Sequence, residues 1–219
     1  MGTPSITDQL DKPLILLGAG GHARVLMDVA RLCGQSVVAI LDDDAALHGT
    51  SIDRVEVVGG IDMLSRYQPA EHLLVNAVGS AGVPKTRQKV NERGTEAGFA
   101  FATLIHPAAV IAESAVIGDG AQVLAGVVVG PGAVVGGGVI LNTKASIDHD
   151  TVVGELSHVA PGATVCGDVT IGTACHIGCG ATLIQGIRIG NGALIAAGAV
   201  VAQDLLAGAR VAGVPAKPF

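Results

Sequence analysis

Hydrophobic positions along this chain follow two different periods, and the change falls near residue 104. Before it, compact apolar runs at Leu14 to Leu17, Val37 to Leu41, Val55 to Val58, Leu73 to Val78 and Phe99 to Leu104 read as strands. Between them, residues 21–32 and 84–97 and a shorter stretch near 60–67 have helical spacing. Apolar runs without strict alternation, separated by helices, predict a parallel sheet covered on both faces and joined by right-handed crossovers. After the change, an aliphatic residue recurs at every sixth position, from Ile105, Ile111 and Ile117 through Ile147 and Val165 to Ile189, Ile195 and Val201, without a break. A short fixed period of this kind is the mark of a solenoid.

The neighbours of each repeat aliphatic say what kind of solenoid. Two places before it stands a mostly small residue, such as Ala115, Ala133, Ala163 or Ala193, and the place after it is often glycine, as at Gly118, Gly130, Gly154 and Gly190. Positions i and i+2 of an extended chain share a face, so the small residue and the aliphatic point inward together, and glycine then turns the corner. Three six-residue sides close a coil of 18 residues, with coils ~4.8 Å apart. The chain therefore divides into a Rossmann-like α/β domain over 1–103 and a parallel β-helix over 104–219.

Composition narrows this picture. With 32 Gly, no Trp, 1 Tyr and 3 Phe, the core must be narrow and aliphatic. A formal charge of -6 gives no basic footprint for nucleic acid. No apolar run approaches the ~20 residues that span a bilayer. Residues 1–12 carry neither the basic nor the apolar part of a secretory signal, so a cytoplasmic protein is expected. The four cysteines (Cys33, Cys166, Cys175, Cys179) form no C-x-x-C pair and read as small buried apolar residues.

Two places carry candidate chemistry. Gly18-Ala19-Gly20-Gly21-His22-Ala23 follows a strand and opens a helix, the context in which backbone N–H groups face phosphates, and Asp42 stands where a carboxylate meets a ribose or base. Alone, this turn suggests a nicotinamide-dependent oxidoreductase or sensor, but the α/β part is too short for two mononucleotide halves, and the solenoid would have no role. The second place is Leu141-Asn142-Thr143-Lys144-Ala145-Ser146-Ile147-Asp148-His149-Asp150, where polar residues replace the corner glycines. His149 has the side chain to take a proton near neutrality, and Asp150, Asp148 or Glu155 can hold its imidazole. His158 and His176 are one coil apart and are expected to stack, with His176 outward and exposed; a zinc site would need a third histidine on that row, and no metal is expected.

The stride-six pattern resembles that of the hexapeptide-repeat acyltransferases, whose β-helix is left-handed. With the α/β domain in front, and with Leu41-Asp42-Asp43, Val78-Gly79, Ile105-His106-Pro107 and Gly213-Val214-Pro215-Ala216-Lys217 in place, nearly the whole chain is similar to the sialic-acid O-acetyltransferase and nucleotide-sugar N-acetyltransferase family. The resemblance implies an acetyl-CoA-dependent N-acetyltransferase acting on the 4-amino group of a nucleotide-linked 4-amino-4,6-dideoxy sugar, with UDP as the nucleotide, in surface-glycan biosynthesis. It implies His149 as general base held by Asp150. It puts His158, Gly167, Cys179 and Ala197 along acetyl-CoA, and Gly20, Gly21, His22, Asp42, Asp43 and Asn142 on the nucleotide sugar. It further implies a homotrimer with sites between subunits. O-acetylation of a sialic acid or another sugar hydroxyl is the alternative within the same fold. One departure stands out: the loop Gly79-Ser80-Ala81-Gly82-Val83-Pro84-Lys85-Thr86-Arg87 is longer than the family's Gly-Asp-Asn or Gly-Asn-Asn and lacks its amide.

Overall fold

The computed structural model describes residues 12–80 and 82–219, so the segment read above for a secretory signal lies outside it save for Lys12. The chain forms two compact units. One comprises residues up to Gly79 together with Lys85–Leu104; the other comprises Ser80–Pro84 and Ile105–Phe219.

In the first unit the elements run β1 (Leu14–Leu17), α1 (Gly21–Leu32), β2 (Val37–Leu41), β3 (Ser51–Ile52), β4 (Val55–Gly59), a 3-10 turn (Ile61–Arg66), β5 (Leu73–Asn76) and α2 (Lys85–Glu96). The sheet order is β3-β4-β2-β1-β5, parallel except for the β3–β4 hairpin. Alternate residues of β1 serve opposite faces. Ile15 and Leu17 join Ala39, Leu41, Leu74, Ile61, Leu64, Val90 and Phe99 in one cluster, while Leu14, Leu16 and Ile40 are fully buried on the other side. The expected fifth strand at Phe99 to Leu104 is reduced to one bridge, Phe101 to Leu74, and the extended pair Leu104–Ile105 belongs to the β-helix ladder instead.

Arg87 is the unusual core residue of this unit. It is 1% exposed, and its Nη1 donates to the carbonyls of Asn76 (2.7 Å) and Val78 (2.9 Å), while Asn76 Nδ2 donates back to the Arg87 carbonyl (2.9 Å). Burial pushes its pKa down to about 9, so the side chain stays cationic at neutral pH. These bonds fix the chain as it leaves β5, where Ala77 and Val78 press on Gly18: a Cβ there would come within 3.1 Å of the Ala77 carbonyl carbon.

The second unit is a three-sided left-handed β-helix. Up to Thr182–Leu183 the two-residue strands pair in parallel with those 18 residues later, as Ser146↔Thr164, Val152↔Thr170 and His158↔His176 show, and the last coil is two residues shorter, with Leu194 opposite Arg210. The repeat aliphatics fill the interior; Leu141, Ile147, Val159, Val165, Leu183 and Ile195 are all fully buried. Three inward positions are polar and are satisfied by the next coil. Thr151 Oγ1 donates to the Cys166 carbonyl (3.0 Å), Ser157 Oγ to the Gly172 carbonyl (2.8 Å), and the Cys175 thiol to the Gly190 carbonyl (3.2 Å). Burial raises the Cys175 pKa, but only this cysteine fits the buried reading: Cys33 and Cys166 are partly exposed and Cys179 is exposed.

The three faces differ in what they show to solvent. Along one, the outward residues Leu104, Gln122, Ile140 and His158 are buried. The other two present valines at consecutive rungs: Val110 (64% exposed) and Val128 on one, Val116 (56% exposed), Val134 and Val152 on the next. No helix among the described residues is long and apolar enough to cross a membrane.

Replacing Arg87 by Met removes the charged donor from two buried carbonyls. Denaturant unfolding of Arg87→Met is expected to show a loss of about 2–5 kcal/mol; a loss inside measurement error would mean those carbonyls find other partners.

Candidate functional site

The polar corner at residues 148–150 is set by the coil register. From residue 120 to residue 198 the position three places after the repeat aliphatic has a left-handed backbone: glycine fills it at 120, 126, 132, 138, 162, 180, 186, 192 and 198, but Lys144, Asp150, Leu156, Asp168 and Ala174 occupy it in the intervening coils. Asp150 (φ 57) is therefore aimed by a conformation that costs roughly 1–2 kcal/mol for a residue with a Cβ and that Asp tolerates better than most. Its Oδ2 lies 2.9 Å from His149 Nδ1. Gly132, one coil earlier, leaves room for that carboxylate: a Cβ there would fall 2.6 Å from Asp150 Oδ1.

The His149 imidazole, 57% exposed, stands over Gly167 of the next coil, and its backbone N–H donates to Asp148 Oδ1 (2.8 Å). The hydrogen bond to Asp150 raises its pKa most, and the charges of Asp148, Asp150 and Asp168 add to that. With Nδ1–H directed at Asp150, Nε2 is left as the basic nitrogen. Of the carboxylates weighed from sequence, Asp150 is the one that holds the ring, while Asp148 caps the backbone.

His158 belongs to a separate arrangement on the covered face. Asn142 Oδ1 accepts from the Thr143 N–H (2.8 Å), so its Nδ2 donates to His158 Nε2 (3.1 Å). His158 Nδ1 meets Ser80, whose Oγ is at 2.9 Å and carbonyl at 3.1 Å. This pattern gives the Nδ1–H tautomer. His158 and His176 pack edge to face, centroids 5.2 Å apart, as their spacing predicts. His176 is not exposed as expected, however; it is half-buried, its Nδ1 has no hydrogen-bond partner among the described residues, and burial lowers its pKa. Both imidazoles line a cavity of about 360 Å³ with Ser80, Ala160, Cys179 and Ala197. Of the residues expected along the acyl donor, His158, Cys179 and Ala197 are thus together. Gly167 is not in that lining; it lies beneath His149.

In the α/β unit, Gly20 caps α1 with no side-chain cap, neither Gly20 nor Gly21 has a positive φ, and apart from their own chain neighbours and helix no described atom lies within 4 Å of where a Cβ would stand. Their own fold does not require glycine, and among the described residues nothing fills the space beside them. The carboxylates are engaged with the scaffold. Asp42 Oδ2 accepts from the Ala19 N–H (2.7 Å) and Oδ1 from the Asp44 N–H (2.9 Å), pinning the turn to the end of β2. Asp43 Oδ1 accepts from the Ile61 N–H (2.9 Å) and Oδ2 pairs with Arg93, and these two interactions, the first above all, hold its pKa low. Each oxygen retains a further lone pair for a ligand. His22 packs beside Gly79, whose Cβ would stand 3.4 Å from the His22 Cβ.

Sequence reading missed Ser80 and the role of the left-handed corner. The signal for the corner was present: a second stride-six row, of glycines, that breaks at Lys144, Asp150 and Leu156 and again at Asp168 and Ala174.

Comparison with known proteins agrees with this architecture. Residues 13–93 match the family described as the PglD N-terminal domain. The acetyltransferase domain of PglB from Neisseria gonorrhoeae FA1090, also solved with acetyl coenzyme A, is 36% identical over 95% of this chain and 100% of that domain, with a TM-score of 0.87. PerB from Caulobacter crescentus, solved with CoA and GDP-perosamine, is 34% identical over 94% of this chain and 97% of its own (TM-score 0.87). WeeI from Acinetobacter baumannii AYE is 25% identical over 95% of this chain and 100% of its own (TM-score 0.80).

The His149–Asp150 contact makes a direct titration test. Followed by NMR, His149 is expected to titrate above an ordinary histidine and so to stay protonated to higher pH. Asp150→Asn should move its midpoint down; an unchanged midpoint would remove Asp150 as the cause.

Proposed function

Because the chain belongs to the hexapeptide-repeat nucleotide-sugar acetyltransferases, and is an acetyl-CoA-dependent enzyme of that kind, we propose that it acetylates the 4-amino group of a UDP-linked 4-amino-4,6-dideoxy sugar. The observation that carries this reading is the exposed His149–Asp150 pair on the β-helix corner.

A sugar amine reaches the enzyme largely as its ammonium and must lose a proton to become a nucleophile. His149 Nε2 takes that proton, and Asp150 steadies the imidazolium through Nδ1–H. Acetyl-CoA supplies the acetyl group as a thioester; a C–N bond forms, the C–S bond breaks, and the departing thiolate takes a proton. The donor's pantetheine arm would lie in the cavity beside His158, which is walled by Ala160, Ala197 and Cys179. Structures of the PglB domain with acetyl-CoA and of PerB with CoA support this choice of donor. Asn142, already bonded to His158 Nε2, stands where it can help place the sugar beside that cavity.

In the α/β unit the nucleotide diphosphate would lie over Gly20, Gly21 and the first turn of α1, with His22 beside it. Asp42 and Asp43 would meet the ribose or base with the lone pairs the scaffold leaves open. The presence of GDP-perosamine in PerB supports a nucleotide amino sugar and makes GDP the competing carrier.

We also propose a homotrimer. The two valine-bearing faces meet at the edge that carries residues 148–151, so a neighbouring subunit that covers the valines would also border the dyad. Desolvating such a row of aliphatics is favourable at roughly 25 cal/mol per Å².

Two measurements test these readings. Turnover with UDP-, GDP- and dTDP-linked 4-amino sugars and with free sialic acid is expected to favour the UDP sugar, and His149→Ala should lower it about 100-fold or more. Activity confined to sialic acid would replace the acceptor, and a near-parental rate for His149→Ala would remove the base. Sedimentation should give three times the 21.7 kDa chain mass; a monomer at micromolar concentration would refute the trimer.

A further inference from the structure

Most corner glycines of the β-helix are required by the backbone of the coil stacked on them. A Cβ on Gly130 would fall 2.7 Å from the His149 backbone nitrogen, on Gly154 2.5 Å from the Gly172 carbonyl carbon, and on Gly178 2.5 Å from the Ala197 nitrogen. Others are required by a left-handed φ. Gly167 meets neither condition. Its φ is not positive, and it stands two places after the repeat aliphatic Val165, where other coils carry Asp119, Pro131, Thr143, Glu155, Thr173 and Asn191. The turn therefore accepts a side chain at this position.

What excludes one at Gly167 is a single side chain. The three atoms nearest a Cβ there all belong to the His149 ring: Nε2 first, then Cε1 at 2.6 Å and Cδ2 at 2.9 Å. Residues 149 and 167 are 18 apart, so the coil register stacks one over the other, and the ring lies in the space a methyl group would fill. We propose that Gly167 is a positioning residue for acetyl transfer: it seats the imidazole of His149 against Asp150 and keeps the surroundings of Nε2 open for the acceptor's ammonium. The role rests on the reading of His149 as general base.

With alanine at 167 the ring must swing away. Its Nδ1 then leaves Asp150 Oδ2, and the methyl group stands beside Nε2, where the acceptor must present its proton. Displacements of this size at a reacting group cost up to about 100-fold in rate. The glycine acts only through the ring, so its effect must vanish when the ring is absent.

The test is a cycle of Gly167→Ala, His149→Ala and the double variant, read by thermal unfolding and by kinetics. Gly167→Ala is expected to lower Tm and to cut kcat about 10- to 100-fold, with KM for acetyl-CoA unchanged and the acid limb of the pH–rate profile moved down toward an ordinary histidine. In the His149→Ala background the same substitution should leave the residual rate unchanged and should not lower Tm, since a site that accepts a side chain gains slightly from losing glycine's freedom in the unfolded chain. An equal fall in both backgrounds, or a raised KM for acetyl-CoA at an unchanged kcat, would overturn the proposal. Should Gly167→Ala not fold, a folded double variant supports the steric coupling and an unfolded one refutes it. The Tm cycle needs no turnover, so a parent enzyme inactive on every amino sugar would sink the functional reading while leaving the seating of the ring to be decided by stability alone.

Discussion

The backbone ladder between successive coils is the constraint on which the β-helix and its site depend. The strand amides of one coil donate to the carbonyls of the coil after it, as when the Ser146 N–H meets the Ala163 carbonyl and the His158 N–H the Cys175 carbonyl, while corner amides such as that of Asp150 donate to the coil before, here to the Pro131 carbonyl. These bonds lock a register of 18 residues, and the register decides which side chains share a corner. His149 lies over Gly167, Gly132 lies against Asp150, and His158 pairs with His176 because the ladder brings residues 18 apart side by side. The aliphatic interior supplies burial, but interchangeable Val, Ile and Leu cannot set such positions by themselves. Thr151 and Ser157, whose hydroxyls bridge to the following coil, fasten the register near the rungs that carry the histidines.

The α/β unit solves a different problem. Its turn is held by a fixed backbone while the space beside Gly20 and Gly21 stays unfilled among the described residues, and a buried cation and two carboxylates divide that work. Arg87 holds the exit of β5, and Asp42 and Asp43 hold the amides of Ala19 and Ile61. All three are polar groups bonded mainly to backbone, an arrangement that gives rigidity without filling the space over Gly20 and Gly21.

Legibility in the sequence followed the length over which each rule acts. The stride of six spans the whole β-helix and could be read residue by residue, as could β1, β2 and α1, whose ends coincide with their apolar runs. Phe99 to Leu104 could not be divided from sequence, because one edge bridge and the first rung of the next unit present the same apolar run. His149 and Asp150 were visible because they follow Asp148, which stands where other corners have glycine. Which carboxylate holds the ring was not, since that depends on the left-handed φ at Asp150. Cys33, Cys166 and Cys179 were misjudged because a helix end and two coil corners leave them uncovered, and His176 because burial on an outward row depends on what covers that face. Ser80, reaching His158 from 78 positions away, leaves no local signal at all.

The closed repeat also sets terms for change in length. Six residues added to a surface loop between ordinary elements are usually absorbed, but six added inside this β-helix would turn everything beyond them by one face of the prism. His149 would then rest on a different residue, although every inward aliphatic kept its place. Only insertion or deletion of an entire coil preserves which face each residue occupies, and even that separates partners if it falls between residues 132 and 167. The fold is therefore forgiving of length in whole turns, while the dyad and the glycines around it form a stretch that tolerates no interruption.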